Sequence, residues 1–456
     1  MLAVQLGELL DGAPEGVGAA LDVIAGFDEA LARGLGRLGE DGSLQALAGA
    51  LAGSPLGPVA AEAAEKIAIG GLGDERLTAM AAGRSAVFGA VHDALLARLD
   101  GALGRERIAW EDGPAGEPAA ANLLSGCRSW LGELAIAGWR GVDHDLVSAS
   151  DPVVEALLAE PRLRRLAVLL DGFAAELRAS SPVATMERLP VRRWADLWAR
   201  ALLLARGAGS TVPAGTVSGR LLILGAEVHE HATAVQVRVH GILEGGDGPR
   251  LVRAGVAAAK VDTITGPAVW NLLGDHPALL AALAEHRGLD VQDMPVAGGG
   301  DLVWDDGRAN AGEPADPFAT ARVRLAEASA PAVPPLERHP VRIAEPVLLE
   351  GYTVKDGKLE LDGHSIELDL DRLPPSGPLT PQLVAASTSC IGLVRWDDRW
   401  RVQPLAVQAT VRKKPVEAHN GDWAQGPTDP KVVKAEARSG DVVAVLRERA
   451  GRLLRK

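Results

Sequence analysis

The chain has 456 residues and a formal net charge of −13, with 47% apolar and 23% charged residues. This length predicts two or three domains, and the composition excludes extended disorder. The acidic balance argues against general nucleic-acid binding, and two cysteines are too few for a disulfide framework or a cysteine-rich zinc site.

The N-terminal stretch MLAVQLGELLDG has no basic segment of the kind that begins a secretory signal, and no apolar run approaches the roughly 18 residues of a membrane helix. We therefore expect a cytoplasmic protein with no membrane contact.

Residues 1–206 show the periodicity of amphipathic helices, broken by glycine. The clearest predicted helix runs from Asp74 to Leu103, where apolar residues recur mostly at steps of three and four. Another, Ala119–Trp139, carries Cys127 in its apolar stripe, which favours a buried thiol over a nucleophile. This part of the chain is predicted to form an all-α domain.

The last predicted helix of this region, Glu187–Ala205, places Trp194 and Trp198 on one apolar face. Two tryptophans four residues apart most often anchor a helix onto its neighbours. The alternative is an aromatic surface that binds another protein, so both residues are also candidates for protein interaction.

Residues 215–330 and 341–456 are predicted to be β-rich domains, separated by the proline-rich linker Pro331–Pro340. In the first, strand-like alternation precedes a helical insertion at Pro267–Arg287. In the second, Asp-Gly pairs at Asp356–Gly357 and Asp362–Gly363 predict tight hairpin turns. The predicted fold class is α+β and multidomain: a helical domain followed by small β-barrel or sandwich-like domains.

The sharpest candidate for chemistry is the triplet His229-Glu230-His231. On a strand the two histidines would face the same side, as paired ligands of a transition metal do. A third ligand could come from Glu227, Glu244 or His240. A polar surface strand explains the same residues without a metal.

Other catalytic signatures are missing. The chain contains no P-loop, no dinucleotide-binding glycine fingerprint, no HExxH and no GxSxG. Cys390 has no histidine placed beside it by the sequence, so it is expected to be a buried strand residue. No organic cofactor is predicted, and a divalent transition metal is the alternative.

The end of the chain differs in charge from the rest. From Val411 to Lys456 there are eleven Lys or Arg residues and six Asp or Glu, a net of +5. Arg412, Lys413 and Lys414 begin this region. A basic segment on an acidic body suggests an arm that contacts another protein, and a solvated helix end is the simpler interpretation.

Three stretches together, Glu187–Leu204, Ser218–Leu243 and Lys260–Trp270, resemble a group of uncharacterised actinobacterial proteins. Members of that group are found beside a MoxR-type AAA+ ATPase, a von Willebrand factor A protein and a SWIM zinc-finger protein. The present chain has no P-loop and too few cysteines for a SWIM finger. The resemblance therefore implies a partner subunit of an ATPase–adaptor system and not its motor.

The expectation from sequence is a non-enzymatic scaffold or adaptor. Two alternatives remain: a metal-dependent enzyme centred on His229 and His231, and a nucleic-acid-binding β-barrel. The barrel alternative is disfavoured by the net charge and by the scarcity of Phe and Tyr for base stacking. The oligomeric state is left open.

Overall fold

The computed structural model describes all residues except 38–41, 112–120, 208–214, 232, 440–442, 445–447 and 449–456. An N-terminal helical region is followed by two β-sheets, which confirms the predicted α+β fold class. Within the described residues, none of the helices combines the length and the apolar character needed to cross a bilayer.

The helical region closes around one large apolar core. Its described α-helices are α1 (Ala3–Leu10), α2 (Val17–Arg33), α3 (Ser43–Ala50), α4 (Gly57–Ala68), α5 (Asp74–Leu103), α6 (Ala121–Ala137), α7 (His144–Ser148), α8 (Asp151–Leu158), α9 (Arg164–Ala179) and α10 (Val191–Leu204). The predicted helix Asp74–Leu103 is confirmed to the residue as α5, which ends at Gly104 in the left-handed conformation that favours glycine.

Helix α5 belongs to two cores. Its first half contributes Leu77 and Met80 to the helical core, and its second half contributes Leu95 and Leu99 to a core shared with the C-terminal sheet. A 30-residue helix is about 45 Å long, so it can span both regions. The helical region and the C-terminal sheet are therefore joined by a continuous rigid element.

The first sheet is a closed barrel with one added strand. Its strands are β1 (Gly215–Glu230), β2 (Ala234–Gly245), β3 (Gly248–Ala259), β4 (Arg287–Val296), β5 (Asp301–Leu302) and β6 (Ala309–Pro314). The first five close in the order β1-β2-β3-β5-β4-β1, with β3 and β5 parallel, and β6 pairs with the outer edge of β4.

A helical segment, a 3₁₀ turn over Gly266–Leu273 followed by α11 (Pro277–Ala284), connects β3 to β4. This confirms the predicted helical insertion. A five-stranded Greek-key barrel with this order and a helix at this connection has the topology of an OB-fold.

The second sheet has β7 (Ala344–Glu350), β8 (Thr353–Lys355), β9 (Lys358–Leu361), β10 (His364–Leu368), β11 (Ser387–Trp396), β12 (Trp400–Val411) and β13 (Lys414–His419). Its order is β7-β11-β12-β10-β9-β8, and β13 pairs with the second half of β12. Asp356–Gly357 and Asp362–Gly363 lie at the two predicted hairpin turns with positive φ, so those turns are confirmed.

The barrel and the C-terminal sheet pack face to face. Leu224 and Ile242 on the outside of the barrel meet Ile391 and Ala406 of the sheet, and Phe318 of α12 (Pro317–Arg324) fills the same cluster. Two further helices of the described residues are α13 (Pro381–Ala385) and α14 (Pro430–Ser439). Two of the polar clusters considered as functional sites lie at this junction.

The predicted linker Pro331–Pro340 lies against the helical region. His339 stacks on Phe88 of α5 with ring centroids 4.2 Å apart, and Arg338 pairs with Asp93 of the same helix. Prolines exclude regular helix and strand from the segment, as expected, but its side chains pack into the fold.

Candidate functional sites

A buried group of charged and polar side chains joins the barrel to the C-terminal sheet. Glu227 of β1 has no exposed surface and accepts hydrogen bonds from His240 of β2 (Nε2–Oε1, 2.8 Å) and His229 of β1 (Nε2–Oε2, 3.2 Å). Arg395 of β11 forms an ion pair with the same carboxylate and donates its Nε to Gln403 at 2.6 Å. We call Glu227, His229, His240 and Arg395 the Glu227 cluster.

Glu227 stays ionised within this cluster. Burial alone would raise its pKa, but the hydrogen bonds from His229 and His240 and the charges around it hold the pKa well below its usual range. Burial lowers the pKa of His240 despite the bond to Glu227, so His240 is neutral and its Nε2 carries the donated proton. The centre of the cluster is therefore an ion pair between Glu227 and Arg395, and the Glu227 carboxylate also accepts hydrogen bonds from two histidines.

This arrangement bears on the predicted metal ligands His229 and His231, which stay a prediction. The structure brings Glu227, His229 and His240 together, as the sequence suggested, but the guanidinium of Arg395 already neutralises the carboxylate and would repel a cation. His231 does not join them, because β1 ends at Glu230 and the His231 ring turns to Thr233 (Nδ1–Oγ1, 3.2 Å). Among the described residues, His229 and His231 do not belong to a group of three or more ligands whose atoms all lie within 4.8 Å of one another.

A second cluster lies where the α11–β4 junction meets the end of β13. His286 Nε2 lies 2.8 Å from Asp422 Oδ1, and Asp422 Oδ2 accepts the backbone N–H of His419 at 2.9 Å. The rings of His286 and His419 lie 4.3 Å apart between centroids. Within the part of the chain that the structure describes, His286, His419 and Asp422 are the one group whose ligand atoms all lie within 4.8 Å of one another.

Two carboxylates set the charges of this second cluster. His419 Nε2 is bonded to Glu417 Oε1 at 2.8 Å, and this bond is the main reason that the pKa of Glu417 falls to about 2. The hydrogen bond to Asp422 raises the pKa of His286. Glu417 is thus ionised, and each of the two carboxylates is bonded to a different imidazole. Such a group can hold either a proton network or a cation.

The predicted interaction tryptophans lie in the helical core. Trp194 and Trp198 have no exposed surface, and the indole N–H of Trp198 donates to the carbonyl of Leu131 at 2.9 Å. Trp194 meets Trp139 edge to face, with centroids 6.2 Å apart. A side chain without exposed surface cannot contact a partner, so the packing interpretation holds and the interaction role is withdrawn.

The basic residues Arg412 and Lys413 form the turn between β12 and β13, and Lys414 is the first residue of β13. Arg412 and Lys413 have positive φ values of 51° and 65°, and all three side chains are exposed. The backbone twist of such a two-residue turn matches that of a β-hairpin. The turn displays three positive charges at one corner of the sheet. Much of the remaining basic tail falls outside the described residues.

Both cysteines are buried, as expected. Burial raises the pKa of Cys127 and of Cys390 to about 12, so neither is a thiolate at neutral pH. Cys390 lies beside Tyr352, whose hydroxyl is bonded to Ser387 at 2.7 Å. Neither thiol is arranged as a nucleophile.

Sequence reasoning missed His286, His419, Asp422 and Arg395. Arg395 lies 168 residues from Glu227, and Asp422 lies 136 residues from His286. The spacing of His419 and Asp422 in HNGD is a weak signal, since a loop with those residues is common. Only the packing of the two sheets brings Arg395 to Glu227 and His286 to Asp422.

Comparisons of the chain with protein-family models, with curated proteins and with solved structures gave no match.

Proposed function

We propose that the protein is a non-enzymatic scaffold or adaptor subunit of a cytoplasmic multiprotein assembly. The observation that carries the proposal is the shared packing of its three parts. Helices α1 and α5 share a core with the C-terminal sheet, and the outside of the barrel packs on that sheet. Such continuity suits a rigid body that holds partners at fixed positions.

The buried charges support the same interpretation. Glu227 pairs with Arg395 across the barrel–sheet junction. Glu345 pairs with Arg105, and this ion pair joins β7 to the chain shortly after the end of α5. Asn420 donates its side-chain N–H to the carbonyls of Ala226 (3.1 Å) and Pro404 (3.3 Å), again joining the two sheets. These polar groups are used to fix elements relative to one another.

A protein partner is favoured over a nucleic acid. OB-fold barrels bind oligonucleotides on the face of their second and third strands. Here part of that face is covered, since Ile242 of β2 and Leu251 of β3 are buried in the cluster shared with the C-terminal sheet. Neither strand contains Phe, Tyr or Trp, the residues on which bases stack.

The turn Arg412–Lys414 is the proposed contact. Three exposed positive charges on a protein of net charge −13 would attract an acidic surface, and the contact should weaken with salt. By the resemblance described above, the expected partner is a MoxR-type AAA+ ATPase or the von Willebrand factor A protein that accompanies it.

The test is purification of the tagged full chain from its native host, with mass spectrometry of the proteins that come with it. A variant with Arg412→Glu, Lys413→Glu and Lys414→Glu should recover at least ten-fold less of the ATPase than the wild-type chain. The matched control is Lys355→Glu with Lys358→Glu, because these exposed lysines flank another tight turn of the same sheet.

Near-stoichiometric recovery of the ATPase with the wild-type chain and the control, and loss with the triple variant, would support the proposal. Recovery of the chain alone, or equal recovery of the ATPase with all three proteins, would contradict it.

A further inference from the structure

We propose that His286, His419 and Asp422 form a binding site for one divalent transition-metal ion, Zn²⁺ or an ion of similar preference. The site is at the junction between the barrel and the C-terminal sheet. It is independent of the proposed contact at Arg412–Lys414 and replaces the metal pair suggested by the sequence.

The side chains of this cluster carry the donor atoms that a transition metal requires. Two imidazoles and one carboxylate are the ligands that zinc, iron and manganese take in proteins, and their ligand atoms lie within 4.8 Å of one another. His419 is 4% exposed, while the side chains of His286 and Asp422 are 33% and 19% exposed. His419 is thus held in the core, whereas His286 and Asp422 are accessible to an ion from the solvent.

The groups that are hydrogen-bonded to the proposed ligands also support a metal site. Histidine ligands usually donate their second ring N–H to a carboxylate, which fixes the tautomer and strengthens the ligand. The Nε2 of His419 lies 2.8 Å from Glu417 Oε1, which leaves Nδ1 with a lone pair for an ion. Asp422 is oriented by the backbone N–H of His419 at 2.9 Å. Phe318 packs edge-on against the His419 ring, with centroids 5.7 Å apart.

The surroundings favour a small ion over an organic ligand. Both imidazoles line a cavity of about 10 Å³ among apolar residues of β1 and α11, which is room for about one water molecule or ion. Arg287 also lines this cavity, but its guanidinium is paired with Glu285 at 2.8 Å and with the carbonyl of Gly312. The carboxylates of Glu417 and Asp422 each lie 2.8 Å from an imidazole nitrogen, and such oxygen and nitrogen donors suit a cation.

The backbone at His286 gives independent support. Its φ of +50° is a left-handed conformation that is uncommon for a residue other than glycine. This conformation turns the chain from α11 into β4 and brings the imidazole to Asp422. Strained residues of this kind concentrate at binding sites.

An ion at this site would clamp the two sheets together. His286 belongs to the barrel, whereas His419 ends β13 and Asp422 lies in the turn that follows. Three protein ligands leave at least one coordination position for water. The expected consequence is a protein whose barrel–sheet junction opens less readily when the metal is bound.

The experiment uses the full chain, stripped with a chelator and titrated with Co²⁺, whose absorption reports its ligands, and then with Zn²⁺. One equivalent of Co²⁺ should bind and be displaced by Zn²⁺, and Zn²⁺ should raise the midpoint of thermal unfolding. Asp422→Asn keeps a hydrogen-bond acceptor for His286 but removes the charged ligand. It should weaken binding at least ten-fold and remove the shift in the midpoint.

Glu417→Gln provides a second variant, because its side chain is partly exposed and lies outside the ligand set. It should weaken binding about ten- to hundred-fold, as loss of an outer partner does. His229→Ala with His231→Ala is the control and should bind one equivalent with unchanged affinity. Binding of less than about 0.2 equivalents by the wild-type chain, or unchanged affinity in the folded Asp422→Asn variant, would overturn the proposal.

Discussion

The Glu227–Arg395 pair is expected to be strongly coupled. Glu227→Gln keeps the size of the side chain and an acceptor for His240 but removes the negative charge. The guanidinium of Arg395, with only 10% of its side chain exposed, is then left without a counter-charge. Breaking a buried pair from one side costs about 3–5 kcal/mol, because the remaining charge is buried without compensation.

Removing the partner as well should recover part of that loss. Arg395→Met alone leaves the Glu227 carboxylate with two histidines, one of them neutral, and we expect a similar cost. In the double variant no charge remains unpaired, since both replacement side chains are neutral. Its loss of stability should be about 2 kcal/mol smaller than the sum of the two single losses.

The measurement is a double-mutant cycle of the free energy of unfolding, from urea denaturation at pH 7 followed by tryptophan fluorescence. Trp396 directly follows Arg395 in β11 and meets Trp400 edge to face, with centroids 5.0 Å apart, so the two rings report on the sheet that carries Arg395. Single losses under about 1 kcal/mol that add within about 0.5 kcal/mol would refute the reasoning, because they would mean the pair is effectively solvated.

Burial and packing elsewhere in the chain lead to three more predictions. Burial lowers the pKa of His339 to about 4, whereas the unfolded residue titrates near 6.5. The unfolded state therefore binds a proton first as pH falls, so the free energy of unfolding should drop by up to about 3 kcal/mol between pH 6.5 and 4. His339→Gln should lack that part of the pH dependence in urea titrations, and identical slopes would contradict the assignment. Trp198→Ala should cost about 3–5 kcal/mol, since the ring is fully buried, whereas Val168→Ala at a 64% exposed position should change stability by less than about 0.5 kcal/mol. Equal losses of stability for these two variants in thermal melts would contradict the burial of Trp198. Gly225→Ala should cost about 1–3 kcal/mol, because its Cβ would lie 2.8 Å from a leucine of the C-terminal sheet, while Gly255→Ala meets nothing within 4 Å. A neutral Gly225→Ala in the same melts would show that the two sheets are not in close contact.

Local patterns in the sequence predicted the secondary structure well. The helix Asp74–Leu103 was found because a buried face recurs every 3.6 residues, and the hairpins at Asp356–Gly357 and Asp362–Gly363 because only a few residues accept positive φ. The two buried cysteines followed from their apolar neighbours. Each of these features depends on residues within one or two turns of the chain.

The sequence also pointed to part of a polar cluster but did not show its positively charged member. Glu227, His229 and His240 do meet, because alternation along paired strands places them on one side. His231 does not, because the strand ends one residue earlier. Arg395 comes from the other sheet and forms an ion pair with Glu227. Its guanidinium supplies the positive charge that a metal ion would have supplied.

The sequence by itself determined the order of helices and strands, the hairpin turns and the residues that must be buried. Only the tertiary structure decided what each buried face packs against: the closure of the barrel through β3 and β5, and the covering of its outer face by the second sheet. It also decided the meeting of His286 with His419 and Asp422. The physical reason is that hydrophobic periodicity records how much of a side chain is buried but not by which partner. Contacts between residues more than a hundred positions apart depend on the packing of whole sheets.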